Sequence, residues 1–239
     1  MRRLAAVREM RLKSTAAATR KMAEKPYLFF STPPLGGNYL LLPEVSSERR
    51  QYVPIGFMAP DVIAANTTLV VPGATAYHFG VLTSSVHMAW MRAVAGRLKS
   101  DYRYSAAVVY NNFPWPEGAS PQNTQKPASR DTEHTECANT EGGTDVPCVP
   151  CAAGGGFSVF SDKISSTAQG ILDARARDPD ASLADLYDPL TMPPDLRAAH
   201  AANDRAVLAA YGLAPDTPEP EIVAHLFRLY AEKAKARSR

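Results

Sequence analysis

Apolar and polar positions follow different rhythms in successive parts of this chain. Residues 1–25 are rich in Ala, Arg, Lys and Met and end at Pro26, which predicts one basic helix. From 27 to 113, short apolar runs are separated by Pro, Gly and Asn clusters. The runs Tyr39–Leu42, Tyr52–Ile55, Thr68–Val71 and Ala106–Tyr110 predict strands. Between the last two, Val81, Ser85, Met88, Ala89 and Arg92 fall at helical spacing, predicting a helix over Phe79–Leu98. From 161 the spacing is helical. Ile164, Ala168, Ile171 and Leu172 mark one helix, and Ser182 with Asp185 forms a capping box for a short turn over Leu183–Tyr187. Met192, Leu196, Ala199, Asn203, Val207 and Tyr211 mark a longer helix stopped by Gly212. Ile222, Leu226, Leu229 and Tyr230 mark the last. Each helix has one apolar face, which must pack on another helix or on the mixed part.

The fold class expected is therefore α+β, a mixed α/β domain over 1–117 followed by a small all-α domain over 161–239. Residues 118–160 break the pattern. Most of that stretch is Pro/Gly/Ser/Thr-rich and nearly free of large aliphatics, so it cannot bury enough surface to offset its ordering entropy and reads as a disordered insert.

Composition adds little until charge is placed along the chain. With 45% hydrophobic and 21% charged residues, the chain is an ordinary soluble globular sequence. The net charge of +2 conceals eight Arg and Lys in residues 1–25 against Glu9 and Glu24, and a basic tail from Lys233 to Arg239. Such segments permit phosphate contact, although a solvated basic helix face is the commoner outcome. No apolar run approaches the ~20 residues of a membrane span, and the N-terminus lacks a signal-peptide core, so a cytoplasmic protein without membrane contact is expected.

Candidate chemistry is sparse. Three cysteines, all between 137 and 151, do not build a disulfide framework. His134, Cys137, Cys148 and Cys151 have zinc-like pair spacing, but the insert lacks the hydrophobic and turn residues around structural zinc, so no metal is assigned. His78 and His87 read as structural hydrogen-bonders, and Trp90 and Trp115 as packing residues. The run "NNFPW" tempts a catalytic reading, because amino-methyltransferases acting on flipped bases use an Asn/Asp-Pro-Pro-aromatic turn. Here Phe113 stands where the first proline should be, and that proline shapes the turn. Gly36-Gly37 precedes a strand and Gly154–Gly156 lies in the insert, so neither makes a cofactor loop. No catalytic and no cofactor-binding residue is assigned.

Longer stretches carry more. "RLKSTAAATRKMAEKPYLF", "LLPEVSSERRQYVPIGF", "YHFGVLTSSVHMAWMRAVAGRLKSDYRYS" and "VYNNFPWPE" resemble the target-recognition region of the MmeI-like (type IIL) restriction–modification enzymes, which methylate adenine in DNA. Residues 164–200 resemble that family's C-terminal helical domain, and if that domain runs on to the C-terminus the likeness covers about three-quarters of the chain. It implies double-stranded DNA as partner and "NNFPWPE" as a domain-closing segment. The family's nuclease and methyltransferase regions, with S-adenosylmethionine as cofactor, would lie before Met1. The chain alone is then expected to be the DNA-reading portion, inactive without a catalytic partner such as a separate methyltransferase polypeptide. The alternative left open is a stand-alone, non-enzymatic DNA-binding or interaction protein, or an inert gene remnant.

Lys99 and Asp101, at i and i+2, share a side if the chain is locally extended there. Lys donates to guanine O6 and N7 while Asp accepts from cytosine N4, so the pair suits one G·C base pair. The residues by themselves favour a surface ion pair. The resemblance implies a base-specifying position. Arg49, Arg50, Arg97 and Arg103 are candidates for phosphates or base edges, with Ser46, Ser47 and Glu48 adding hydrogen bonds.

Overall fold

The computed structural model describes residues 2–29, 36–116 and 155–237, and it groups the chain into two compact units, Met1–Leu35 and Gly36–Arg239. The zinc-spaced residues His134, Cys137, Cys148 and Cys151 and most of the 118–160 insert lie outside the described residues.

In the first unit the expected single helix is broken into α1 (Arg2–Leu12), α2 (Ala17–Lys21) and a 3-10 turn, Met22–Glu24. The break falls at Lys13–Ala16, where the Ser14 hydroxyl accepts from the Ala16 amide at 3.2 Å. Ser competes with helix in this way by bonding its own backbone. Arg20 then donates to the Ser14 and Thr15 carbonyls at 2.9 and 2.7 Å. Arg11 donates to the carbonyls of Met22, Lys25 and Leu28 at 2.8, 3.0 and 2.6 Å. Two of the basic residues that the sequence offers to phosphates thus satisfy backbone within the unit.

The second unit contains two small antiparallel sheets. In the first, β1 (Tyr39–Pro43) lies between β3 (Gly56–Met58) and β4 (Thr68–Pro72). In the second, β6 (Asp101–Arg103) lies between β2 (Val45–Ser46) and β5 (Gly96–Leu98). The expected helix over Phe79–Leu98 is two helices, α3 (Ala76–Leu82) and α4 (Ser85–Val94), with β5 beyond them. Thr83 and Ser84 separate them: both hydroxyls bond back to α3 carbonyls, and Ser84 accepts from the His87 amide as N-cap of α4.

Two expected strands are absent. Tyr52–Ile55 is buried but irregular, because Pro54 has no amide to donate and the Val53 amide goes to the Met88 sulfur. Ala106–Tyr110 is a π-helical turn. Its carbonyls are taken elsewhere: Trp90 donates its indole N–H to Val109 at 2.9 Å, and the Asn112 amide caps Ala107 and Val108 at 2.9 and 3.2 Å. Val109 and Tyr110 are both buried, whereas a strand would turn one of two neighbours outward.

Helices α5 (Gly155–Arg175), α6 (Leu183–Leu186), α7 (Pro194–Ala210) and α8 (Glu219–Arg237) follow, with α5 starting within the stretch assigned to the insert. The capping box at Ser182–Asp185 and the left-handed Gly212 (φ 69°) end-stop of α7 are as expected. Ile164, Ala168, Ile171, Leu196, Val207 and Leu226 are buried together with Leu40, Phe79, Val81 and Trp90. Sheet, α3–α4 and the C-terminal helices therefore share one core. Gly80 lets α3 approach α5 closely, since a Cβ there would meet Ile164 Cγ2 at 2.8 Å and Ala168 Cβ at 3.0 Å. Asn203, fully buried, donates to the Gly80 carbonyl at 2.7 Å.

Candidate nucleic-acid interface

The second sheet is small and exposed, and it gathers the residues singled out above. Strands β5 and β6 form a hairpin in which Leu98 pairs with Asp101, so Lys99 and Ser100 are its two-residue loop. Lys99 has φ 57°, the left-handed region that two-residue hairpin loops require and that β-carbons disfavour. The extended geometry assumed for Lys99 and Asp101 is therefore not found. Lys99 is at the exposed apex, and Asp101 opens the returning strand.

Strand β2 pairs with the other edge of β6, Val45 opposite Arg103 and Ser46 opposite Tyr102. The chain leaving β2 turns at once, with the Arg50 amide donating to the Ser47 carbonyl at 3.1 Å and the Arg49 amide reaching the Ser47 hydroxyl at 3.4 Å. By this register the turn Ser47–Arg50 lies at the same end of the sheet as the Lys99–Ser100 loop. Glu48 joins the two, with a carboxylate oxygen 3.5 Å from Arg97 Nη1.

Alternation sorts the side chains by face. Ser46, Tyr102 and Arg97 are opposite one another on one face. Ser46 is 3% exposed and its hydroxyl has no partner, so it is not the surface hydrogen-bonder that the sequence suggested. The Arg97 guanidinium lies 3.8 Å from the centre of the Tyr102 ring and donates to the Ser100 carbonyl at 2.8 Å. Arg97 thus braces its own loop. The other face carries Val45, Leu98, Asp101 and Arg103, of which Val45, Leu98 and Arg103 are exposed. Tyr102, the brace beneath Arg97, went unread in the sequence, where nothing but its place opposite residue 97 in a hairpin could have marked it.

The remaining candidates are structural. His87 is fully buried, bonds the Tyr104 hydroxyl at 2.8 Å, and burial pushes its pKa down to about 3. His78 accepts from the Thr75 amide at 3.0 Å in the capping box of α3, and burial lowers its pKa. Phe113 and Trp115 are buried, 5.5 Å apart, in a cluster with His87, Tyr110 and Tyr211. Tyr211 and Lys233 donate to the Pro114 and Trp115 carbonyls at 3.0 and 2.6 Å. "NNFPW" therefore closes a core, and its Asn111–Pro114 part also lines an open cleft with Tyr230, Lys233 and Ala234.

The described residues do not fit S-adenosylmethionine. Gly36 and Gly37 lead into β1. The turn from β4 to α3 has the lone Gly73, and the first turn of α3 is closed by its own Thr75–His78 box. Among the described residues no group of three His, Cys, Asp or Glu could hold a metal, and no helix is long and apolar enough to cross a membrane.

Comparison with known proteins agrees with this architecture. Residues 1–117 match the family described as MmeI, target recognition domain, and residues 160–236 match MmeI, C-terminal domain. DNA methyltransferase A of Bacillus subtilis (strain 168) is 33% identical over 230 residues, which are 96% of this chain and 22% of that protein. The structure of the type IIL restriction–modification enzyme MmeI in complex with DNA matches 97% of this chain and 26% of its own, with a TM-score of 0.72 and 38% identity. The chain thus spans about a quarter or less of the length of these relatives.

Proposed function

The chain belongs to the MmeI-like family of restriction–modification methyltransferases, of which it carries the target-recognition and C-terminal regions, and from this we propose that it reads double-stranded DNA through its second sheet. The observation that carries the proposal is the convergence of Ser47–Arg50, Lys99, Asp101 and Arg103 on one exposed three-stranded sheet. A two-stranded ribbon fits the major groove, where each base pair shows a distinct donor and acceptor pattern. Lys99 at the apex donates and Asp101 accepts, so together they suit the two bases of one G·C pair. Arg103 supplies charge for the backbone, where half or more of such contacts are made, while Arg49 and Arg50, at the loop end of the sheet, meet base edges. Methyl transfer to adenine with S-adenosylmethionine is assigned to the methyltransferase region of the family's longer chains. It is not assigned to any residue described here.

The test is a chimera joining this chain behind the methyltransferase region of a family member, with methylated sites read by sequencing. Lys99→Glu combined with Asp101→Arg exchanges donor and acceptor and is expected to move one position of the site from G to C. A good bidentate contact discriminates by about 1–3 kcal/mol, so the change is visible as a new preference at that position. Arg103→Ala is expected to weaken all sites alike and flatten the salt dependence. An unchanged site after the double exchange would return Lys99 and Asp101 to a surface role.

A further inference from the structure

The turn that carries Arg49 and Arg50 is held from both ends. Before it, Val45 and Ser46 are zipped to β6. After it, Gln51 and Tyr52 are tied to helices far along the sequence. The Tyr52 hydroxyl donates to Asp204 Oδ2 on α7 at 2.6 Å, and Asp204 Oδ1 accepts the Ser85 amide at 2.7 Å, at the first turn of α4. The Tyr52 ring stacks on His200, one helical turn before Asp204, with centroids 4.1 Å apart and planes at 21°. Arg92 of α4 donates to the Gln51 carbonyl at 3.4 Å and grips Glu219, the first residue of α8, through two bonds of 2.8 and 2.9 Å. His200 in turn meets the Tyr187 hydroxyl at 2.7 Å, to which the buried Arg175 of α5 also donates.

Hydrophobic packing alone would have bound the C-terminal helices to the core, and it needs none of these polar groups. A half-buried carboxylate, a stacked histidine ring and the arginine of a bidentate ion pair instead converge on the two residues that follow Arg50. Charge-assisted bonds of this kind fix direction as well as distance. We propose that Tyr52 and Asp204, supported by the Arg92–Glu219 pair, are positioning residues for DNA specificity: the C-terminal helices set the angle at which Arg49 and Arg50 meet the duplex. The proposal rests on the DNA-reading function argued above and assigns part of that function to α7 and α8.

Tyr52→Phe keeps the ring stack on His200 and removes the bond to Asp204. Glu219→Gln, at the surface, loosens Arg92 without touching the core. Each variant of the full chain is equilibrated with a pool of duplexes randomised at the centre, and the bound fraction is sequenced at two salt concentrations. Both variants are expected to lose roughly tenfold in discrimination, the order of one good base contact, and only at the base pairs that Arg49→Ala or Arg50→Ala also relaxes. The salt dependence stays that of the wild type. Adding Tyr52→Phe to Arg50→Ala is expected to cost no further discrimination, because both act through the same contact. A uniform fall in affinity, or unaltered preferences in both variants, overturns the positioning role while leaving the DNA-reading proposal intact. A wild-type chain that enriches no sequence overturns that proposal, and the positioning role with it.

Discussion

At Lys99 a backbone cost is set against the base-reading role proposed for the residue. Its φ of 57° places a β-carbon in the left-handed region, which costs about 1–2 kcal/mol relative to glycine. Lys99→Gly is therefore expected to hold or raise the melting temperature while reducing base discrimination, a split that thermal denaturation and duplex selection together would detect. A fall in both would mean that the lysine stabilises the loop. His87 and His200 make the opposite kind of case. Burial pushes each pKa down to about 3, with Arg175 adding to the effect at His200. In the unfolded chain an ordinary histidine takes its proton near pH 6.5, so below that pH the unfolded state binds more protons than the folded one. Stability is full above about pH 6.5 and falls as pH drops toward 3, by about 2 kcal/mol per histidine at pH 5. Asp204 partly opposes this, since burial raises its pKa. Urea titrations at pH 7 and 5 are expected to differ accordingly, and His87→Gln should flatten the difference.

Among the elements, the α3–α5–α7 crossing depends on a missing side chain. Gly80→Ala gains about 0.5–1 kcal/mol of helix propensity, yet its Cβ would be 2.8 Å from Ile164 Cγ2 and 3.0 Å from both Ala168 Cβ and Asn203 Oδ1. Overpacking of this kind costs about 1–3 kcal/mol, so the substitution is expected to destabilise. Gly170, in the interior of α5, has nothing within 4 Å of its would-be Cβ. Gly170→Ala should therefore stabilise by about 0.5–1 kcal/mol. Opposite signs in chemical denaturation are the expected result, and equal signs would contradict the crossing described here.

For the molecule as a whole, Gly36–Arg239 should unfold in one cooperative transition, because sheet, α3–α4 and C-terminal helices bury the same residues. A chain ending at residue 116 would expose Phe79, Val81 and Trp90, which now pack beside Ile164, Leu196 and Leu226. It is expected to lack dispersed amide resonances, and a well-dispersed spectrum from residues 36–116 would show that the C-terminal helices are dispensable. The same shared core explains how a residue of α7 can bear on a turn more than 150 positions earlier in sequence, since Tyr52 and Asp204 are 152 apart.

The C-terminal helices could be read from sequence because their signals are local: apolar spacing of three and four, a Ser–Asp capping box, and a glycine past the last turn. Strands β1 and β4 were legible for the same reason. Tyr52–Ile55 and Ala106–Tyr110 were not, because their strand-like composition is overruled by partners distant in sequence, Met88 for the Val53 amide and Trp90 for the Val109 carbonyl. The candidate site divides in the same way. Residue type and resemblance pointed to Lys99, Asp101 and the arginines. Only the pairing of β2, β5 and β6 brought Ser47–Arg50 beside them, laid Arg97 over the Tyr102 ring, and put Lys99 at a strained apex. Composition and spacing act over a few residues, whereas strand pairing and buried hydrogen bonds choose their partners only once the chain has closed.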